Sequence, residues 1–328
     1  MREAAFIKNN KARWQLFEAV LDKKEEINPD KLADLYVEIT DDLSYAKTFY
    51  PQSNTEIYLN AIASKAHQKI YKTKKESKNR LVTFFKKEFP LEFYQYQKQL
   101  LIAFGVFAFF AIVGMYSAAT DGDFVRLILG DGYVNMTLEN IEKGDPMAVY
   151  KEQGEMGMFI GITLNNIRVA MYAFVLGMLF SVGTLYIMMQ NGIMLGSFLY
   201  FFYDKNLLWE SSRTIWIHGT IEISVIIIAG AAGLVLGNGL LFPKTYTRLA
   251  SFMKSVKAGL KIMVSTIPFF IVAGFLEGFV TRHTEMSDTL ALIIIGVSLF
   301  SIIYYYGYYP IKIHRLNEIE QNQLNLKK

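Results

Sequence analysis

His218 and Glu222 stand four residues apart inside Ile217–Gly237, a run that is otherwise apolar and long enough to cross a bilayer. In a helix that spacing puts an imidazole and a carboxylate on one face, a pairing suited to proton transfer, metal ligation or a buried latch. Each ionisable group at the bilayer centre costs roughly 2.5–3.5 kcal/mol on insertion scales, so a chain that keeps two is expected to use them. Two more, Arg168 and Glu277, fall in other apolar blocks, with Asn165 and Asn166 just ahead of Arg168. One His with two Glu could ligate zinc, but H-x-x-x-E lacks the second close histidine of helical metalloprotease motifs. His283 and His314 lie near or beyond the ends of apolar blocks. No Ser–His or paired-Asp arrangement stands out, and no G-x-x-x-x-G-K-[ST] phosphate loop occurs. The absence of cysteine excludes disulfides, thiolate catalysis and Cys-ligated metal centres. No catalytic residue, metal or cofactor is assigned, and the chain is read as not an enzyme.

Two non-catalytic readings remain for Arg168, His218, Glu222, Glu277, Asn165 and Asn166. In the first, Arg–Glu and His–Glu pairs between helices neutralise one another and hold a bundle together. In the second, the same groups line a polar cavity open to the outside that takes an ion, a headgroup or a partner peptide. Behind Glu222 follow Gly230, Gly233 and Gly237, among Ala229, Ala231 and Ala232. Small residues at steps of three and four let helix backbones approach closely, so this face is assigned to helix packing, with homo-oligomerisation through it as the alternative.

The elements that must position these residues are legible from composition. The 328 residues are 52% hydrophobic and 20% charged, and the first 99 hold 18 of the 34 Lys and Arg. Beyond Leu100 apolar blocks alternate with short polar stretches, the pattern of a soluble head followed by a polytopic membrane domain. A net charge of +4, concentrated at such flanks, gives no reason to expect nucleic acid as a partner. No cleavable leader is expected, because Met1–Trp14 has no apolar core. The head reads as helical. Asn28-Pro29 opens a helix carrying Leu32, Leu35, Ile39 and Leu43, which stops at Pro51, and another begins near Ser53. Lys72, Lys74, Lys75, Lys78 and Arg80, then Lys86 and Lys87 among phenylalanines, read as a basic juxtamembrane helix on the lipid surface.

Clear spans are expected near 100–119, 169–189, 214–241, 262–280 and 289–309, with 192–209 as a further element, short or re-entrant. Counting it as a crossing places 27 Lys and Arg inside against 6 outside, with Arg168 at the edge, and the positive-inside rule favours that count. The expectation is an all-α chain: a cytoplasmic helical head (1–95), a six-element membrane bundle (96–314) and a cytoplasmic tail (315–328). The acidic segment 120–160 then faces outward, ending in an interfacial helix over Met156–Leu164, and the polar cluster lies in the outer half of the membrane. Tyr304–Tyr309 at the end of the last span are read as interfacial anchors.

The run H-G-T-I-E-I at His218–Ile223, followed by A-G-A-A-G-L-V-L-G, resembles the stage II sporulation protein M family. N-G-I-M-L-G at Asn191–Gly196 and A-G-F-L-E-G-F-V-T at Ala273–Thr281 support the resemblance, as do Asp42–Ala46 and Tyr58–Tyr71 in the head. The resemblance implies a multi-pass protein of the bacterial inner membrane with a scaffold or assembly role. The expected partners are other membrane or envelope proteins, the lipid bilayer and a cytoplasmic protein at the head. Sporulation as such is not implied. Segment 120–160 has no counterpart in the family's founding member. A transporter or lipid-handling protein is the alternative that the polar residues keep open.

Overall fold

The computed structural model describes residues 2–22, 29–70, 79–150 and 154–326. Among them all regular structure is helical, and the chain separates into two compact units, Met1–Arg80 and Leu81–Lys328. Lys72, Lys74, Lys75 and Lys78 of the basic run, and the Asn28 cap, lie outside the described residues.

The first unit is three helices: α1 (Glu3–Leu21), α2 (Pro29–Phe49) and α3 (Asn54–Ile70). Phe17, Ile39, Ala46, Leu59 and Ala66 are fully buried between them, with Trp14 at 2% exposure. Polar pairs fix the register around that core. Arg13 reaches Asp42 at 2.5 Å and Glu38 at 3.2 Å, and Trp14 Nε1 donates to the same Asp42 carboxylate at 2.8 Å. The start of α3 has a local cause: Ser53 Oγ accepts from the Glu56 amide at 3.2 Å, while the Glu56 carboxylate accepts from the Gln52 amide at 2.6 Å.

The second unit carries six helices long and apolar enough to cross a membrane: α4 (Arg80–Thr120), α7 (Glu155–Met178), α8 (Val182–Asp204), α9 (Leu208–Leu241), α10 (Arg248–Thr281) and α11 (Asp288–Gln323). Between α4 and α7 come two short helices, α5 (Phe124–Leu129) and α6 (Asp131–Glu142), whose Val125 and Val134 pack with Phe201 and Phe202 at the end of α8. The expected 192–209 element is longer than its sequence pattern suggests. At 23 residues α8 rises roughly 34 Å, enough to span a hydrocarbon core. The difference arises at a turn hidden in apolar sequence. Phe180 and Ser181 adopt φ of 52° and 68°, splitting what reads as one span over 169–189 into the end of α7 and the start of α8. Met156–Leu164, read as an interfacial helix, is continuous with α7.

α9 is the hub. Buried residues make up 83% of its most apolar window, against 17–44% in the other five spans. Its small residues set how closely the neighbours come. A side chain on Gly233 would collide with the Ala173 carbonyl and the Thr184 hydroxyl, one on Gly237 with Ser181 in the α7–α8 turn, and one on Gly230 with Met188. α4 and α8 meet just as tightly, since a Cβ on Gly196 would run into the Ala111 carbonyl and one on Gly114 would lie 2.7 Å from Ile193 Cα.

The tyrosines near the end of α11 divide by face. Tyr304 and Tyr308 are exposed, but Tyr306 is 1% exposed and its hydroxyl donates to the Ser265 carbonyl on α10 at 3.0 Å. Tyr305 and Tyr309 hydroxyls donate to the Phe85 and Lys86 carbonyls at 3.1 and 3.0 Å. Phe89 and Phe93 pack edge-on against the Tyr306 ring. The start of α4, expected on the lipid surface, is therefore fastened to α10 and α11, with Lys261 and Glu92 adding an ion pair.

Candidate functional site

The site forms where α9, α10 and α7 approach one another. On α9, His218 and Glu222 share a face one turn apart, as their spacing requires. On α10, Glu277 and Thr281 repeat that spacing within a π-helical turn, Leu276–Thr281. Such widened turns recur at functional positions because they re-aim side chains within a helix. Glycines then admit α7. A Cβ on Gly274 would strike the Thr163 hydroxyl, and one on Gly278 would lie 3.0 Å from the Glu155 carbonyl. The close approach brings Asn166 to Glu222.

His218 Nδ1 lies 2.9 Å from Thr281 Oγ1, and that hydroxyl donates at 3.1 Å to the Leu276 carbonyl of its own helix. With the hydroxyl proton committed there, the ring nitrogen is the donor, so the neutral imidazole has its proton on Nδ1 and its lone pair on Nε2. Nε2 faces Glu277 Oε1 at 3.7 Å. Asn166 Nδ2 donates to Glu222 Oε1 at 2.5 Å, and a carboxyl oxygen of Glu222 lies within 4.8 Å of one of Glu277. One ligand atom from each of His218, Glu222 and Glu277 can be chosen so that all lie within 4.8 Å of one another. His218 is 4% and Glu277 9% exposed, while Glu222 is half-buried.

The other sequence-predicted residues stand apart from this group. Arg168 is exposed, and its Nε donates to the Tyr172 hydroxyl at 3.0 Å with the guanidinium over the same ring. Two residues along a helix amount to about 200° of rotation, so Arg168 cannot share the face that Asn166 presents to α9. Asn165 is exposed as well. An apolar groove of about 730 Å³, walled by α4, α9 and α11, runs past Trp216, Thr220 and Ser224 on another side of α9 and does not include the cluster.

Thr281 has no assigned role from sequence, although its step of four from Glu277 mirrors His218–Glu222. Arg213 is a further unassigned contributor. It donates to Asp288 at 2.6 Å and to the Thr284 carbonyl at 2.8 Å, pinning the α10–α11 loop to α9 beside the site. Arg282 pairs with Glu155 at 3.0 Å, tying the same loop to α7.

Six helices long and apolar enough to cross a membrane, three of which meet at a histidine–glutamate cluster, define a polytopic membrane protein. The model of the family described as stage II sporulation protein M matches residues 103–282, and the chain belongs to that family. A separate model, of a domain of unknown function, matches residues 4–72. An uncharacterized protein of Methanocaldococcus jannaschii is similar, at 25% identity over 157 residues, covering 47% of this chain and 68% of that protein. No solved structure matches.

Proposed function

We propose that the protein is a non-enzymatic assembly factor of the bacterial inner membrane, joining other membrane or envelope proteins to a cytoplasmic partner held by the head. The observation that supports this reading is modularity. Three helices with their own core and six membrane helices with another form separate compact units, and a different family model matches each. An adaptor requires such a division, because one unit can bind without repacking the other. The full chain is expected to leave native membranes in mild detergent as a stoichiometric complex with defined membrane or envelope proteins on native gels, with photo-crosslinks from head residues to one soluble protein. A lone monomer at native expression overturns the proposal.

The buried cluster favours a second reading, a transporter or lipid-handling protein whose polar cavity opens outward. It requires that water reach Glu222 or Glu277. Failure of Glu222→Cys and Glu277→Cys to react with a polar maleimide added from outside excludes it.

A further inference from the structure

We infer that His218, Glu222 and Glu277 form a binding site for one divalent transition-metal cation of the zinc class, which clamps α9 to α10. The inference goes beyond both functional readings and depends on neither. Its first support is donor geometry. Zinc–nitrogen and zinc–oxygen bonds of about 2.0–2.2 Å put tetrahedral donors roughly 3.3 Å apart. The His218 Nε2–Glu277 Oε1 separation of 3.7 Å is a few tenths wider, and the other donor separations, within 4.8 Å, would shorten by up to about 1.5 Å on binding.

The second support is orientation of the ligands by their neighbours. Ligating histidines nearly always give the other ring N–H to a fixed acceptor, which sets the tautomer and aims the lone pair. Thr281 Oγ1 is that acceptor, itself fixed by its bond to the Leu276 carbonyl. Asn166 does the same for Glu222, holding one carboxylate oxygen from outside the cluster.

Charge supplies the third support and selects the valence. Ligating as carboxylates beside a neutral imidazole, Glu222 and Glu277 would bring two negative charges to the site. One dication taking the place of the two carboxyl protons keeps the group neutral, whereas a monovalent ion would leave a net charge in a low-dielectric region. Imidazole among the donors favours zinc and its transition-metal neighbours over magnesium or calcium, which take oxygen ligands. Three protein donors leave a fourth position for water.

The test uses the full-length protein in mild detergent, stripped with a chelator and titrated with zinc and with cobalt(II). Elemental analysis is expected to give one ion per chain, and cobalt visible absorption to show a low-symmetry nitrogen–oxygen site. His218→Gln, Glu222→Gln and Glu277→Gln are each expected to weaken binding at least tenfold and to abolish the rise in melting temperature that zinc gives the unsubstituted protein. Asn165→Ala and Arg168→Gln serve as controls and are expected to bind normally. Absence of stoichiometric binding by the unsubstituted protein overturns the proposal, as does unchanged binding in folded His218→Gln and Glu277→Gln. Should those variants fail to fold, X-ray absorption of the zinc-loaded unsubstituted protein decides. Scattering from one imidazole with oxygen neighbours upholds the site, and its absence overturns it. A carboxylic-acid infrared band that Glu222→Gln or Glu277→Gln removes but saturating zinc does not overturns it too, because it shows a proton held where the cation should be.

Discussion

Thr281 gives its hydroxyl proton to the Leu276 carbonyl and accepts from His218 Nδ1, and that contact decides which imidazole nitrogen faces the two carboxyls. Thr281→Val keeps the shape and removes the acceptor. It is expected to lower zinc affinity by about 10- to 100-fold, the usual effect of losing a partner that orients a ligand, with Thr281→Ser restoring most of it. Competition against a chromophoric chelator reads the change. In the head, Asp42 serves two donors at once, Arg13 and the indole of Trp14. Asp42→Ala leaves a buried indole N–H without its acceptor and is expected to cost about 1.5–3 kcal/mol in the unfolding of the head, followed by tryptophan fluorescence. Tyr58 adds a pH dependence there. Burial first, and then its hydrogen bond to Glu18, push its pKa up to about 12 from 10.0. The fold thus favours the protonated phenol, so the stabilisation is complete below pH 10 and is lost as pH rises towards 12. The melting temperature of the head is expected to fall across that window, and Tyr58→Phe to flatten the fall.

Backbone proximity, more than side-chain chemistry, sets the geometry of the elements. α4 and α8 are joined where the Gly196 backbone faces the Ala111 carbonyl, whereas Gly105, on the same α4, has nothing within 4 Å of where a Cβ would be. Gly196→Ala is expected to force the helices apart and cost about 1–3 kcal/mol. Gly105→Ala is expected to stabilise by about 0.4–1 kcal/mol through the unfolded chain. Thermal unfolding in one detergent compares them directly. The sequence shows that small residues belong on α9, because G-x-x-x-G has a single steric reading, but it does not show that Gly192 and Gly196 serve α4. The α7–α8 turn is illegible for a related reason. Leu179-Phe180-Ser181 contains no proline, glycine or charge, yet Phe180 and Ser181 have left-handed backbone, with Ser181 packed against Gly237. Charge patterning gives the depth of a residue along a span and says nothing about the direction it faces. Arg168 therefore reads as a neighbour of Glu222, yet it pairs with Tyr172, while the π turn that swings Glu277 and Thr281 towards His218 has no sequence signature.

Six crossings bring the two ends of the membrane body to one face, and there the contacts between the start of α4 and the end of α11 are found: Lys87 with Glu320 at 3.6 Å, and Tyr94 stacked on His314. The opposite face then holds α5, α6, the α8–α9 turn and the α10–α11 loop, with Glu277 about one turn beneath it along α10 and His218 and Glu222 about three to four turns along α9. By the positive-inside rule, 27 basic residues against 6 predict that the Lys244–Lys261 segment lies inside and the Asp204–Asn206 turn outside. Because the chain contains no cysteine, it is its own background for single-cysteine mapping. Asn206→Cys is expected to react with a membrane-impermeant maleimide in intact cells, and Thr245→Cys only after the membrane is opened. Equal labelling of both from outside would mean that α9 does not cross, and the site would then lie at no defined depth. Labelling in the reverse order would keep the six crossings and turn the cluster towards the cytoplasm. Any cation it binds would then come from the cytoplasmic pool instead of the envelope, so the orientation decides which compartment supplies the site.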